Sequence, residues 1–244
     1  MLEPKLIEIL EELFAIGGNH DTVKTFSIRK KLIDFMIDHN LFLKDSDKNF
    51  IMIKDTIRFI DAHTNLATTT NRNEASTCLK PFFKRLNEMQ PDDWNYYELH
   101  LLISSLHLVD KVKQALDLGT KSIIAIAKFE DINNVDLLES CVACNICYRI
   151  LYAKYFDNIK MDLTNHFETW FKKLENLAKE DSKIELDFLV TKIRQALFYQ
   201  NRKLIRELLD ELKTKYDEKI FDIVSKEVGT YYIKFDPRHE GGER

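Results

Sequence analysis

Apolar residues recur every three to four positions along nearly the whole chain, the period of helices that bury one face. Residues 5–16 (KLIEILEELFAI) align Leu6, Ile9, Leu10 and Leu13 in one stripe, and Gly17-Gly18 supplies a helix stop. Residues 24–40 repeat the pattern, with Phe26, Leu32, Phe35 and Met36 on the stripe. Asp45-Ser46-Asp47 reads as a loop and N-cap cluster opening a helix over about 48–62. Asn71-Arg72-Asn73 opens the next, which carries Leu79, Phe82, Phe83 and Leu86 and should kink or split at Pro81. Pro91-Asp92-Asp93 is predicted to cap a helix running through WNYYELHLLISSLHL. A helix over 110–128 places Gly119 on its apolar stripe, as a close helix–helix contact. Asn133-Asn134 precedes a helix over 135–156, and the pattern continues over 160–179, 183–200, 202–215 and 217–233. The tail DPRHEGGER is expected to fray.

The predicted fold class is all-α. About eleven helices with short links stack as antiparallel pairs, in a bundle or a solenoid. The spacing from pair to pair, roughly 35–45 residues, is in the range of tetratricopeptide-type repeats. Their consensus is not legible, so we expect a degenerate tetratricopeptide-like solenoid.

Composition supports this class. Six Gly and four Pro in 244 residues are too few for the turns of all-β or α/β folds. No apolar run reaches the length of about 18 residues that spans a bilayer, so no membrane partner is expected. The acidic, amphipathic start MLEPKLIEILEE is neither a signal nor a transit peptide. Net charge is −4, without a basic block, and residues 1–66 hold nine Lys/Arg against eleven Asp/Glu. Direct nucleic-acid binding is therefore not expected. Four cysteines without an export signal point to a reducing, cytoplasmic location.

Cys141-x-x-Cys144-x-x-Cys147 has the spacing of a cluster ligand run, but it lies inside a strong helix pattern. Helical geometry turns Cys141 and Cys147 about 120° apart and separates them by about 9 Å along the axis. Core packing is the reading adopted, with no metal. His100 and His107, seven residues apart on one predicted helix face, read as a surface or groove pair. Asp92-Asp93 reads as a helix cap. There is no GxSxG, Walker-type or GxGxxG motif, so we expect no catalytic residues, no cofactor and no enzyme.

Two features suggest binding. In DDWNYYELHLL, Trp94, Tyr96, Tyr97 and Glu98 form an aromatic helix start that either anchors one helix pair to the next or walls a groove. Polar residues also interrupt apolar helices: Asn145 and Arg149, four apart, and Lys192 and Gln195, three apart. Buried, such groups are costly unless paired or facing a wet cavity. On a concave helical surface they could grip a peptide backbone or its carboxylates; on the convex side they would simply face solvent. The candidate peptide-binding residues are Asn145, Arg149, Tyr97, His100, Lys192 and Gln195.

Asp93-Trp94-x-Tyr96-Tyr97-Glu98-Leu99 resembles the W-x-Y-Y-E-L signature of the Rgg/GadR/MutR family of transcriptional regulators. The resemblance extends to Asn145 in a long central helix and to the closing segment IFDIVSKEVGTYYIKF, and covers roughly residues 20–235. It implies a tetratricopeptide-like regulatory domain that forms a homodimer and, in the quorum-sensing branch, binds a short hydrophobic signalling peptide on its concave face. Asn145 and Arg149 would lie on that face. Members also carry an N-terminal helix-turn-helix domain, for which this sequence shows no basic recognition helix. DNA would be a partner only through that absent domain. The resulting expectation divides the chain into residues 1–66, a remnant of or linker to the DNA-binding domain; 67–235, the regulatory and dimerisation domain; and 236–244, a frayed tail. The expected function is ligand sensing within a transcription regulator. The alternative is a helical-repeat scaffold that holds a partner protein and senses no small ligand.

Overall fold

The computed structural model of the chain describes residues 2–16, 22–41, 47–129, 135–157 and 159–235. Gly17-Gly18, the Asp45-Ser46 part of the predicted loop, Asn133-Asn134 and the tail DPRHEGGER lie outside the described residues. Among the described residues there are eleven α-helices, short 3-10 turns and no strand. No described helix is long and apolar enough to cross a membrane. The chain forms two compact units, Met1–Ala125 and Ile126–Arg244. The expected boundary at 66/67 falls inside a helix, and compactness groups residues 67–125 with those before them.

The first unit begins with α1 (Pro4–Ile16) and α2 (Thr22–Asp38). Leu6, Ile9, Leu10 and Leu13 of α1 are buried as their spacing predicts. In α2 the buried face consists of Ile28, Leu32, Phe35 and Met36, whereas Phe26, expected on the same stripe, is 56% exposed. Counting at 100° per residue puts Phe26 on the opposite side of α2 from Phe35, so both cannot face one core.

Helix α3 (Lys48–Thr69) starts where the Asp47 carboxylate accepts from the Asn49 N–H. It ends at Thr70, in the left-handed region with φ 55°, whose N–H donates to the Leu66 carbonyl. The link to α4 (Arg72–Glu88) is thereby only two residues, and Asn71 caps the new helix. Pro81 does not split α4; burial of Leu79, Phe82, Phe83 and Leu86 on one face carries the helix through it.

Pro91–Asp93 is a 3-10 turn, and α5 (Tyr96–Ser105) begins later than expected. Its cap is Asn95, not Asp92-Asp93. The Asn95 side chain accepts from the Glu98 N–H while the Glu98 carboxylate accepts from the Asn95 N–H. Glu98 also receives Arg85, 2.6 Å away, and Arg85 reaches back to Asp55 at 2.7 Å. One guanidinium thus joins α3, α4 and α5. A 3-10 turn at Leu106–Leu108 follows, then α6 (Val112–Ile126), in which Gly119 is buried.

The second unit holds α7 (Val135–Phe156), α8 (Thr164–Glu180), α9 (Glu185–Phe198), α10 (Arg202–Lys215) and α11 (Glu218–Phe235). Helix α7 is covered on nearly every side, burying residues from Leu138 to Ala153, and packs against α8 and α9. An outer helix such as α10 instead buries one narrow stripe, Ile205, Leu208 and Leu212.

Candidate functional site

The aromatic start of α5 serves as an anchor in the first unit. Trp94 is 2% exposed, within the core. Tyr97 stacks on Phe14 of α1 at 6.0 Å between ring centroids. His100 lies 5.0 Å from the same ring and 4.5 Å from Tyr96. Burial, together with Glu11, raises the Tyr97 pKa, and burial lowers that of His100. His100 is thereby kept as a neutral aromatic plate. His107 does not pair with it: α5 ends at Ser105, and the His107 ring instead meets His63 at 5.9 Å.

In the second unit Asn145 and Arg149 sit one turn apart on α7 but differ in access. Asn145 is half-buried. Arg149 has no exposed surface, and its Nη2 lies 2.6 Å from Asp157 Oδ2. No ligand can touch Arg149 unless the surrounding side chains move, so it fills the role of a paired core cation.

Lys192 and Gln195 sit on a stripe that starts at Phe188 of α9 and ends at Tyr199, the residue just past its end, all partly or well exposed. Gln195 Nε2 donates to Glu168 of α8 at 3.2 Å, and the Tyr199 hydroxyl donates to the same carboxylate at 2.6 Å. Burial and then Glu168 push the Tyr199 phenol up to about 12, which keeps it a donor. At the other end, Phe188 meets Phe171 of α8 at 5.7 Å, and the Lys192 ammonium lies 5.8 Å from the Phe188 ring. Helices α8 and α9 therefore present a ledge, apolar at one end and amide, phenol and carboxylate at the other. Glu168 and Tyr199 were not anticipated; the i, i+4, i+7 and i+11 spacing from Phe188 could have revealed Tyr199.

A second polar cluster, also unanticipated, lies where α7, α9 and α11 converge. Arg194 holds Glu227 through two contacts, 2.8 and 3.0 Å, and donates to Cys144 Sγ at 3.1 Å. Its guanidinium lies 4.8 Å from the Tyr148 ring. Burial opposes the charge on Arg194, but Glu227 outweighs it and holds the pKa well above the usual value. Arg194 and Glu227 each flank an apolar stripe on their helices, which is the signal a helical-wheel count would have shown. Burial raises the pKa of Cys144 and Cys147, and it pushes the Cys141 thiol up to about 12. All four cysteines are free thiols. Among the described residues no group of His, Cys, Asp or Glu could hold a metal.

No protein-family model, curated protein or solved structure matches the chain. Of the six candidates, Tyr97 and His100 come together on Phe14, and Lys192 and Gln195 share the α8–α9 ledge. Asn145 stays partly accessible on α7, and Arg149 is sealed in the core.

Proposed function

We propose that this chain is the ligand-sensing regulatory domain of an Rgg-like transcriptional regulator, binding a short hydrophobic peptide. In this reading the helices stack as antiparallel, tetratricopeptide-like pairs. The peptide selects one of two helix arrangements and so alters a homodimer. Helices α1 to α4 pack in sequence order in the first unit and α7 to α11 in the second, which supports the repeat reading.

The observation that carries the proposal is the α8–α9 ledge. An extended hydrophobic peptide needs apolar surface for its side chains and amide-type partners for its backbone. Phe171 and Phe188 offer the first, and Gln195 and Tyr199 the second. Lys192 is placed for a terminal carboxylate.

Calorimetry of the purified chain against a panel of short hydrophobic peptides tests this. Binding is expected to weaken by about 1–3 kcal/mol in Gln195→Ala and in Lys192→Ala, the usual cost of a lost polar contact. An intact fold that binds none of the panel removes the peptide-sensing reading.

The alternative, a scaffold for a folded partner, draws support from Ile223 and Ile233, both more than half exposed on one side of α11. Pull-down of a partner by the native chain, lost in the Ile223→Asp and Ile233→Asp variants, would favour it.

A further inference from the structure

Helix α2 is amphipathic in an unusual sense: it has a second apolar stripe opposite the buried one. Val23 is 78% exposed, Phe26 56% and Ile37 55%, and Ile33 is partly exposed. With Lys30 these positions advance in alternating steps of three and four residues, the spacing of a helix–helix seam. The core face of Ile28, Leu32 and Phe35 points the other way. Scattered exposed apolar residues are ordinary, but a continuous seam on one helix is a contact surface.

The charges along the seam determine what fits it. Lys30 lies on the seam in its N-terminal half, and Asp34 lies at its edge in the C-terminal half. Among the described residues neither Lys30 nor Asp34 has an ion pair within the chain. A parallel copy would set Lys30 against Lys30. An antiparallel copy related by a two-fold axis near residues 31–32 sets each Lys30 beside the partner's Asp34. The same register places Phe26 against the partner's Ile37 and Ile33 against the stem of the partner's Lys30, close to the axis. Apolar and charged pairs thus agree on one register, the self-complementarity a two-fold interface requires.

We propose that α2 is a homodimer interface, pairing antiparallel with α2 of a second copy of this chain through Phe26 and Ile37, with Lys30 and Asp34 fixing the direction. This assigns a surface to the homodimer included in the functional reading above, but it does not depend on peptide binding. A single helix pair is a small interface, so dissociation in roughly the micromolar range is expected.

Sedimentation velocity of the full chain across a concentration series tests the pairing. The wild type is expected to dimerise, and Phe26→Glu to be monomeric at the same concentrations with an unchanged circular dichroism spectrum; Ile37→Glu provides a second variant should Phe26→Glu misfold. Lys30→Glu and Asp34→Lys should each weaken the dimer about tenfold, because each two-fold interface loses two ion pairs and gains two repulsions. The double variant Lys30→Glu/Asp34→Lys should restore it, since both pairs re-form with reversed sign. A wild type that stays monomeric, a dimer indifferent to Phe26→Glu and Ile37→Glu, or a double variant as weak as the single ones would each overturn the proposal. A monomer that binds peptide sinks this inference alone, and a dimer that binds none sinks only the sensing reading.

Discussion

The Arg149 guanidinium, wholly buried in α7, lies 2.6 Å from the carboxylate of Asp157, eight residues further along the chain. Asp157 follows the last residue of α7 and keeps a quarter of its side chain exposed. The ion pair therefore ties the end of a central helix back to that helix's interior. Arg149→Ala should destabilise the protein by about 3 kcal/mol, because it removes one partner of a buried pair and leaves a void. Arg149→Met, which keeps most of the volume, should cost less. Urea denaturation followed by circular dichroism reads both. A substitution that leaves the midpoint unchanged would mean the pair contributes nothing to stability.

Arg85 serves two carboxylates at once, and Asp55 is 2% exposed. In Arg85→Ala both acids lose that cation, and the expected loss is about 3 kcal/mol or more. Adding Asp55→Asn to Arg85→Ala should recover part of this loss. A double-mutant cycle measures the coupling; strict additivity would show that the two side chains do not interact energetically.

Acid sensitivity follows from His100. Burial holds its folded pKa below the usual value near 6.5, so the unfolded chain binds a proton more readily than the native one. The associated stability is fully present above about pH 6.5 and is lost as pH falls through the folded pKa. His100→Gln should flatten that part of the stability profile. Parallel thermal melts at pH 7.5 and pH 5.5 compare the two proteins, and identical pH slopes would exclude this role for His100.

The three cysteines of α7 should be slow thiols. Burial raises all three, Cys141 to about 12, so thiolate is scarce near neutral pH. Titration with a thiol-specific reagent should label Cys78 first in the native protein and all four cysteines only in urea. Rapid native labelling of Cys141, Cys144 or Cys147, read by mass spectrometry, would contradict the packing described above.

Much of the local structure was legible. The stripe Leu6, Ile9, Leu10 and Leu13 is buried as read, and the cysteine run lies within a continuous helix. Capping was harder to place: Asp92-Asp93 looks like a cap, yet Asn95 serves, because its partner Glu98 stands three residues on and is held by Arg85 from another helix. The apolar repeat puts Phe26 on one stripe with Phe35, yet the two stand nine residues apart, on opposite sides of α2, and Phe26 is exposed. Arg149 and Lys192 looked alike, each a cation in an apolar helix; one is sealed in the core and the other lies on a ledge.

The sequence alone determined the helical class, since periodicity, scarce glycine and scarce proline act through the backbone of each segment. Tertiary structure decided which polar groups are accessible. That depends on contacts between residues such as Arg194 and Glu227, 33 positions apart. Local spacing carries no record of such pairings, because burial of a charge is set by whichever helix packs over it.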